Sequence, residues 1–215
     1  KIIFSSEAKG IAPFCDQVHY FPPGHYYDGD GRFVPYRQPW EPKGKGARDM
    51  DSIFTGIREK LIEGVRKRLA SDVPIGFLLS GGLDSSLVCS IAARILKKPI
   101  TTFSVGMTEG AIDLKYAKIV ADYLKTDHHE VYFTEGDVKA VLDKLIYQLE
   151  SWDITTVRAS IGMYLVCKYV REKTDIKVVL TGEISDELFG YKYTDFAPNG
   201  DEFQKEAQKR IREIH

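Results

Sequence analysis

The chain offers little to several function classes at once. Its 215 residues carry only three cysteines, Cys15, Cys89 and Cys167. They are odd in number, far apart and without a CxxC pair, which excludes a disulfide-stapled fold and gives no zinc-site spacing. A net charge of −1 leaves no excess of cations, so neither nucleic acid nor an anionic membrane surface is an expected partner. The longest apolar stretches, such as Ile75–Leu79, fall far short of the roughly 20 residues that span a bilayer. The opening residues Lys1–Glu7 lack the apolar core of a signal peptide, and a reducing cytoplasm is the expected setting. Two familiar nucleotide loops are also missing. There is no GxGxxG, and Gly44-Lys45 is followed by Gly46 instead of Ser or Thr, within a Pro/Gly/Lys-rich linker. Lys1 opens directly on a strand-like run and His215 closes a charged, helix-like stretch from Asp201, so both ends read as cuts within a longer protein.

What is present divides near residue 40. Residues 1–39 read as short strands and turns, at Ile2–Ser5, Gln17–Phe21, Gly24–Tyr27 and Arg32–Tyr36, with Asp28-Gly29-Asp30-Gly31 as a hairpin turn. Residues 40–50 read as a linker. From Asp51 the period changes: Phe54, Ile57, Leu61, Val65 and Leu69 recur as on an amphipathic helix. Strands and helices then alternate. Strands are expected at Ile75–Leu79, Ile100–Val105, Glu130–Phe133 and Ile176–Thr181. Helices are expected near Ser85–Lys97, Leu114–Leu124 (capped by Asp113), Asp137–Leu149 and Ser160–Glu172. Such alternation without hairpins predicts an α/β domain, a doubly wound parallel sheet covered on both faces.

Parallel sheets bind ligands at the carboxyl ends of their strands. Two glycine-containing loops fall there. The first, Leu78-Leu79-Ser80-Gly81-Gly82-Leu83-Asp84-Ser85-Ser86, runs from a strand into a helix. Its glycines allow close backbone approach, and its N–H groups converge with the positive helix end on an anion site, to which Ser80, Ser85 and Ser86 add hydroxyls. Asp84 beside phosphates is repulsive unless a cation lies between, so it points to Mg2+. The second loop, Thr181-Gly182-Glu183-Ile184-Ser185-Asp186-Glu187, crowds three carboxylates at its tip. Capping the following helix accounts for Asp186 and Glu187 but not for Glu183. Asp186, opposed to Asp84 across a nucleotide, could complete the Mg2+ site.

The first loop resembles the SGGxDS motif of the ATP-pyrophosphatase (PP-loop) superfamily. With the rest of the chain, it is similar to the synthetase domain of glutamine-hydrolysing asparagine synthetases of the class B type. Matching segments are Ser71-Asp72-Val73-Pro74, Phe103–Gly106, His128-His129-Glu130, Thr155-Thr156-Val157-Arg158-Ala159-Ser160 and Thr181–Glu187. Ser6-Glu7-Ala8-Lys9 and Phe21-Pro22-Pro23-Gly24 look like the close of that family's glutaminase domain. The resemblance implies a β-rich remnant of an N-terminal-nucleophile amidotransferase domain over 1–39. It implies a Rossmann-like, adenine nucleotide alpha hydrolase type domain over 51–215, incomplete at its C-terminus. There are departures: Ile184 stands for the usual glycine, Thr181 for a serine, and Tyr191-Lys192-Tyr193 follows Gly190 where many members have a second glycine. The family's nucleophilic N-terminal cysteine has no counterpart at Lys1, and its distal lysine is not found before His215.

The resemblance implies ATP-dependent conversion of aspartate to asparagine through β-aspartyl-AMP, with ammonia supplied by glutamine hydrolysis and with a homodimer allowed. It assigns the phosphates to Ser80, Gly81, Gly82, Ser85 and Ser86, adenosine to backbone groups of Leu78, Val105 and Gly182, and Mg2+ to Asp84 and Asp186. Thr181 joins the nucleotide site. Arg158, with Thr155 and Thr156, would grip aspartate or phosphate, and Glu183 would handle ammonia and its proton. The His128-His129 pair reads as structural, because adjacent strand residues point to opposite faces. Two alternatives stay open: a related ligase closing a β-lactam or macrocyclic amide, and an ATP-binding fragment that catalyses nothing.

Overall fold

The structure, a computed structural model, describes residues 2–36, 49–190 and 196–213. Residues 40–48 of the expected linker and Tyr191-Lys192-Tyr193 lie outside the described residues, and the linker's last two residues, Asp49 and Met50, instead cap and begin a helix. The chain falls into two compact units, Lys1–Gly46 with Ile184–His215, and Ala47–Glu183.

In the first unit, β1 (His25–Tyr27) and β2 (Phe33–Pro35) form an antiparallel hairpin, with Tyr26 opposite Val34. The Asp28 carboxylate shapes the turn by accepting the N–H groups of Asp30 and Arg32 at 2.8 and 3.1 Å. Phe4, Phe21, Phe33 and Tyr27 close a ring of four aromatic contacts, with centroids 5.0–5.9 Å apart. The strands expected at Ile2–Ser5 and Gln17–Phe21 are not formed. Single 3-10 turns at Ala8–Gly10 and Ala12–Phe14 intervene, and aromatic packing of Phe4 and Phe21 takes the place of a ladder. The unit also holds α6 (Ser185–Phe189) and α7 (Gly200–Glu213).

The second unit is built on four parallel strands: β3 (Ile75–Leu78), β4 (Thr101–Met107), β5 (Asp127–Phe133) and β6 (Val178–Leu180), in the order β5-β4-β3-β6. Leu78 pairs with Phe103, and Phe77 pairs with Leu180. Helices are α1 (Met50–Arg68), α2 (Leu83–Leu96), α3 (Ile112–Leu124), α4 (Glu135–Leu149) and α5 (Ile154–Lys173). The period-2 alternation of the strands separates two cores. On one face Phe77, Leu79 and Leu180 pack with Val65, Cys89, Ala92, Ala117 and Ala121, from α1, α2 and α3. On the other, Phe103 and Val131 pack with Val166 and Val170 of α5 and with Ile176. The sheet is therefore covered on both faces, as the alternating pattern predicts.

Several local expectations shift. The α3 N-cap is Ala111, and Asp113 sits in the first turn, where a carboxylate still meets the helix dipole. Helix α5 begins six residues before the expected start near Ser160, because Asp153 caps it by accepting the Thr156 N–H at 2.8 Å. On α1 only Val65 is fully buried, and Phe54 and Ile57 remain exposed. Cys89 is in the core, where burial pushes its thiol up to about 12, whereas Cys167 lies on an exposed part of α5.

The two histidines do point to opposite faces. His129 stacks on Phe103, with centroids 5.1 Å apart, and its Nδ1 lies 3.1 Å from the Tyr169 hydroxyl on α5. His128 turns the other way, with Nδ1 2.8 Å from Thr102 Oγ1 and Nε2 3.1 Å from Ser104 Oγ. Thr102 and Ser104 are buried. Burial, the largest cause, holds the His128 pKa below its ordinary 6.5, with Glu130 opposing and Lys118 assisting.

A base with a depressed folded-state pKa favours the neutral form when folded. Its stabilising effect is present above 6.5 and is lost as pH falls from 6.5 toward the lowered value, where the unfolded chain binds the proton first. Urea unfolding of the native protein and of His128→Gln between pH 7.5 and 5 should therefore show a smaller pH dependence in the variant. Parallel curves would refute the linkage.

Candidate nucleotide site

The strand order reverses beside β3: the chain goes from β3 out to β4 and β5, then returns to β6 on the other side. The carboxyl ends of β3 and β6 lie beside that reversal, the place where α/β sheets bind ligands. Both glycine loops lie there. Leu79 anchors the first, with its side chain 1% exposed and its N–H donated to the Phe103 carbonyl at 2.8 Å. The chain then surfaces at Ser80 and Gly82 and enters α2 with Gly82 as N-cap. Gly82 offers no side-chain cap, so the first N–H groups of α2 are left for another acceptor.

Two glycines are required by close approach. Gly81 has φ +82°, and a Cβ there would lie 2.5 Å from the α3 backbone at Tyr116 and Ala117. A Cβ on Gly182 would lie 2.7 Å from the Ser85 nitrogen and 2.8 Å from the Asp84 carbonyl carbon. The loop after β6 thus rests directly on the first turn of α2, joining the phosphate loop to the loop that carries Glu183. Asp84 is half-buried beside Gly182, and Glu183 is exposed.

The serines differ in their commitments. Ser80 is exposed, while Ser85 is 8% exposed with its hydroxyl turned into the loop. Ser86 Oγ is buried without a hydrogen-bond partner among the described residues. Leu78 and Val105 are half-buried at the ends of adjacent strands, and Thr181 Oγ1 accepts the Glu183 N–H at 3.4 Å.

Thr155, Thr156 and Arg158 lie on the exposed first turns of α5, with Val157 buried among them. Gly162, one turn on, packs toward Val105 of β4, where a Cβ would meet Val105 Cγ1 at 3.4 Å. Arg158 lies one turn before that contact, on the exposed start of α5. Thr156 is less free than the sequence suggests, because its hydroxyl donates to Asp153 at 2.9 Å. The Thr156 N–H first, and that hydroxyl bond second, hold the Asp153 carboxyl below its ordinary range.

A family model described as Asparagine synthase matches residues 56–213. The chain belongs to the asparagine synthase family. It is 41% identical to a probable glutamine-hydrolyzing asparagine synthetase of Schizosaccharomyces pombe, across 99% of this chain and 41% of that protein. It is also 41% identical to a glutamine-hydrolyzing asparagine synthetase of Zea mays, across 99% of this chain and 38% of that one. The chain thus spans about two-fifths of the length of the curated relatives it matches. Among solved structures it is similar to the NH3-dependent NAD synthetase from Campylobacter jejuni, with a TM-score of 0.44, 25% identity and coverage of 64% of this chain and 60% of that one.

Within this asparagine synthase domain, Ile184 keeps the backbone conformation that glycine favours, at φ 77° and ψ −6°. The exchange from the family's usual glycine therefore leaves the turn into α6 left-handed, at the steric cost a β-branched residue carries there. Asp186 lies two residues further, exposed, in the first unit. Among the described residues no group of three or more His, Cys, Asp or Glu could hold a metal ion, and no helix is long and apolar enough to cross a membrane.

The bracing of Gly81 by α3 is not legible in the sequence. The Gly81-Gly82 pair signals close approach but does not say what approaches. A matched pair of substitutions tests the backbone contact at Gly182. Gly182→Ala should destabilise the protein by about 1–3 kcal/mol through overpacking. Gly56→Ala, in open space on α1, should stabilise it by about 0.5–1 kcal/mol. Denaturant midpoints that move the same way for both would sink the contact argument.

Proposed function

We propose that this protein is a ligase that makes asparagine from aspartate, ATP and ammonia, releasing AMP and pyrophosphate, with glutamine hydrolysis as the ammonia source in the full-length protein. The observation that carries the reading is the Ser80–Ser86 loop at the reversal of strand order, within a chain matched by the asparagine synthase family over residues 56–213. The names of its curated relatives, glutamine-hydrolyzing asparagine synthetases, support asparagine as product and glutamine as ammonia source.

The chemistry follows from the groups at hand. A side-chain carboxylate oxygen of aspartate bonds to the α-phosphorus of ATP, and the bond to the β-phosphate bridge breaks, its electrons leaving on pyrophosphate. Backbone N–H groups over Ser80–Ser86 and the positive end of α2 oppose that growing charge. Leu78, Val105, Thr181 and Gly182 border the adenosine. Arg158 and Thr155 bind an anion, either the aspartate carboxylate or a phosphate, and Thr156 holds the α5 terminus beside them. Ammonia then attacks the activated carbonyl carbon, the bond to the AMP oxygen breaks, and Glu183 accepts the surplus proton.

Mg2+ suits the site as a partner of phosphate, because Asp84 places a hard oxygen ligand at the loop. Asp84 would hold it at the loop, and it would neutralise charge on the polyphosphate.

The reading is tested by pyrophosphate release from ATP on the full-length protein, with aspartate, glutamate or no acid, each with and without ammonia. Release should require aspartate, and asparagine should appear when ammonia is added. Asp84→Asn should slow release roughly 100-fold. Glu183→Gln should spare release more than it spares asparagine formation, which should fall by roughly 100-fold or more. Release indifferent to aspartate would remove the asparagine assignment and favour a ligase acting on another carboxylate. No release with any acid would likewise remove the asparagine assignment.

A further inference from the structure

Helix α3 is apolar on two sides. Leu114, Ala117 and Ala121 are buried. On the opposite side Ile112, Tyr116, Ile119 and Tyr123 follow one another at spacings of four, three and four residues, and each is more than half exposed, from 52% to 78%. At about 100° per residue they fall within roughly 60° of one another, so they form one stripe along the helix. Single exposed apolar residues are ordinary on a protein surface. A continuous stripe of four large ones at this spacing has the pattern of the seam between paired helices.

The stripe complements itself. A two-fold axis crossing the helix between Ala117 and Lys118 sets a second α3 antiparallel to the first. Ile112 then lies on Tyr123 of the second copy, and Tyr116 lies on its Ile119, an aliphatic side chain against a ring at every layer. The charged flank agrees with this arrangement. Lys115 and Asp122, seven residues apart beside the stripe, face one another across an antiparallel helix pair, so each copy's Lys115 meets the other's Asp122. Lys118 holds one oxygen of Asp122 at 2.7 Å, and the carboxylate has a second oxygen to offer. Lys115 has no ion partner among the described residues. A helix of 13 residues is about 20 Å long, and one pair of such helices buries less than the roughly 1,200 Å² at which permanent interfaces begin. The association is therefore reversible and depends on concentration.

We propose that the outer face of α3 is a self-association surface, pairing antiparallel with α3 of a second copy of this chain through Ile112, Tyr116, Ile119 and Tyr123, with reciprocal Lys115–Asp122 ion pairs at the rim. The proposal goes beyond the ligase reading and does not depend on it.

The test combines hydroxyl-radical footprinting of Tyr116 and Tyr123 with sedimentation velocity, on the full-length protein over a roughly hundredfold range of concentration. Oxidation of both tyrosines should fall several-fold as concentration rises, in step with a doubling of mass, while the exposed Tyr147 on α4 stays unchanged. Ile119→Glu, at an exposed position, should abolish both the mass step and the protection without moving the urea midpoint. Lys115→Asp and Asp122→Lys should each weaken association roughly tenfold, because the two-fold axis makes each change break two rim pairs. The double exchange should restore association, which a general loss of helix stability would not do. If Asp122→Lys does not fold, the footprint of Ile119→Glu decides. Tyrosines oxidised equally at every concentration, or a mass step unchanged in Ile119→Glu, would overturn the proposal. Protection at every concentration, in particles whose mass Ile119→Glu leaves unchanged, would also overturn it and would mean that another segment of the same chain covers the stripe.

Discussion

Around the N-terminus of α2, three stretches of backbone come together with no side chain between them. Gly81 lies against α3, Gly182 lies against Asp84 and Ser85, and the Leu79 N–H is bound to the Phe103 carbonyl. Each approach depends on a different element: α3 following β4, the loop following β6, and β4 itself. The polar N–H groups of the helix end can be offered to a ligand because these neighbours hold the loop open without filling it. A side chain at Gly81 or Gly182 would displace main chain rather than a flexible tip, and so would move the loop as a whole.

The parallel sheet makes that meeting possible. With β6 beside β3, the two loops emerge side by side, and the residues just before them are buried. Leu79 and Leu180 sit in the same core, under α1, α2 and α3, so both loops start from fixed points. Phe103, Val166 and Val170 do the same on the opposite face for α5, whose first turns carry Arg158. Exposed polar groups on short loops thus project from strands and helices whose side chains are closely packed, the arrangement that gives a site precision without burying its charges. Glu183, Arg158 and Ser80 are all exposed, and each lies within three residues of a buried apolar anchor.

Hydrogen bonding inside the site adds a second layer of order. Ser85 closes the phosphate loop on itself, and Asp153 with Thr156 fixes the start of α5. Both use small polar side chains close in sequence, the local bonding that competes with helix in the unfolded chain and caps it in the folded one. Ile184 shows the opposite case: its left-handed backbone persists without glycine, so the turn after Glu183 is imposed by its surroundings and not by local preference.

The strand–helix alternation, the apolar runs and the loop Ser80–Ser86 were legible in the sequence, because period and glycine content are local properties that the parallel fold uses directly. The structure of the Thr155–Ser160 segment was not legible: Asp153 starts α5 six residues early, and Thr156 is bound to its cap. The start of the chain was misjudged where aromatic side chains packed with one another instead of pairing as strands. By itself the sequence determined which residues could form strands, helices and a glycine-rich strand-to-helix turn. Only the tertiary structure decided that β6 lies beside β3 and that α3 braces Gly81. Those outcomes depend on contacts between residues distant along the chain, and no local preference carries that information.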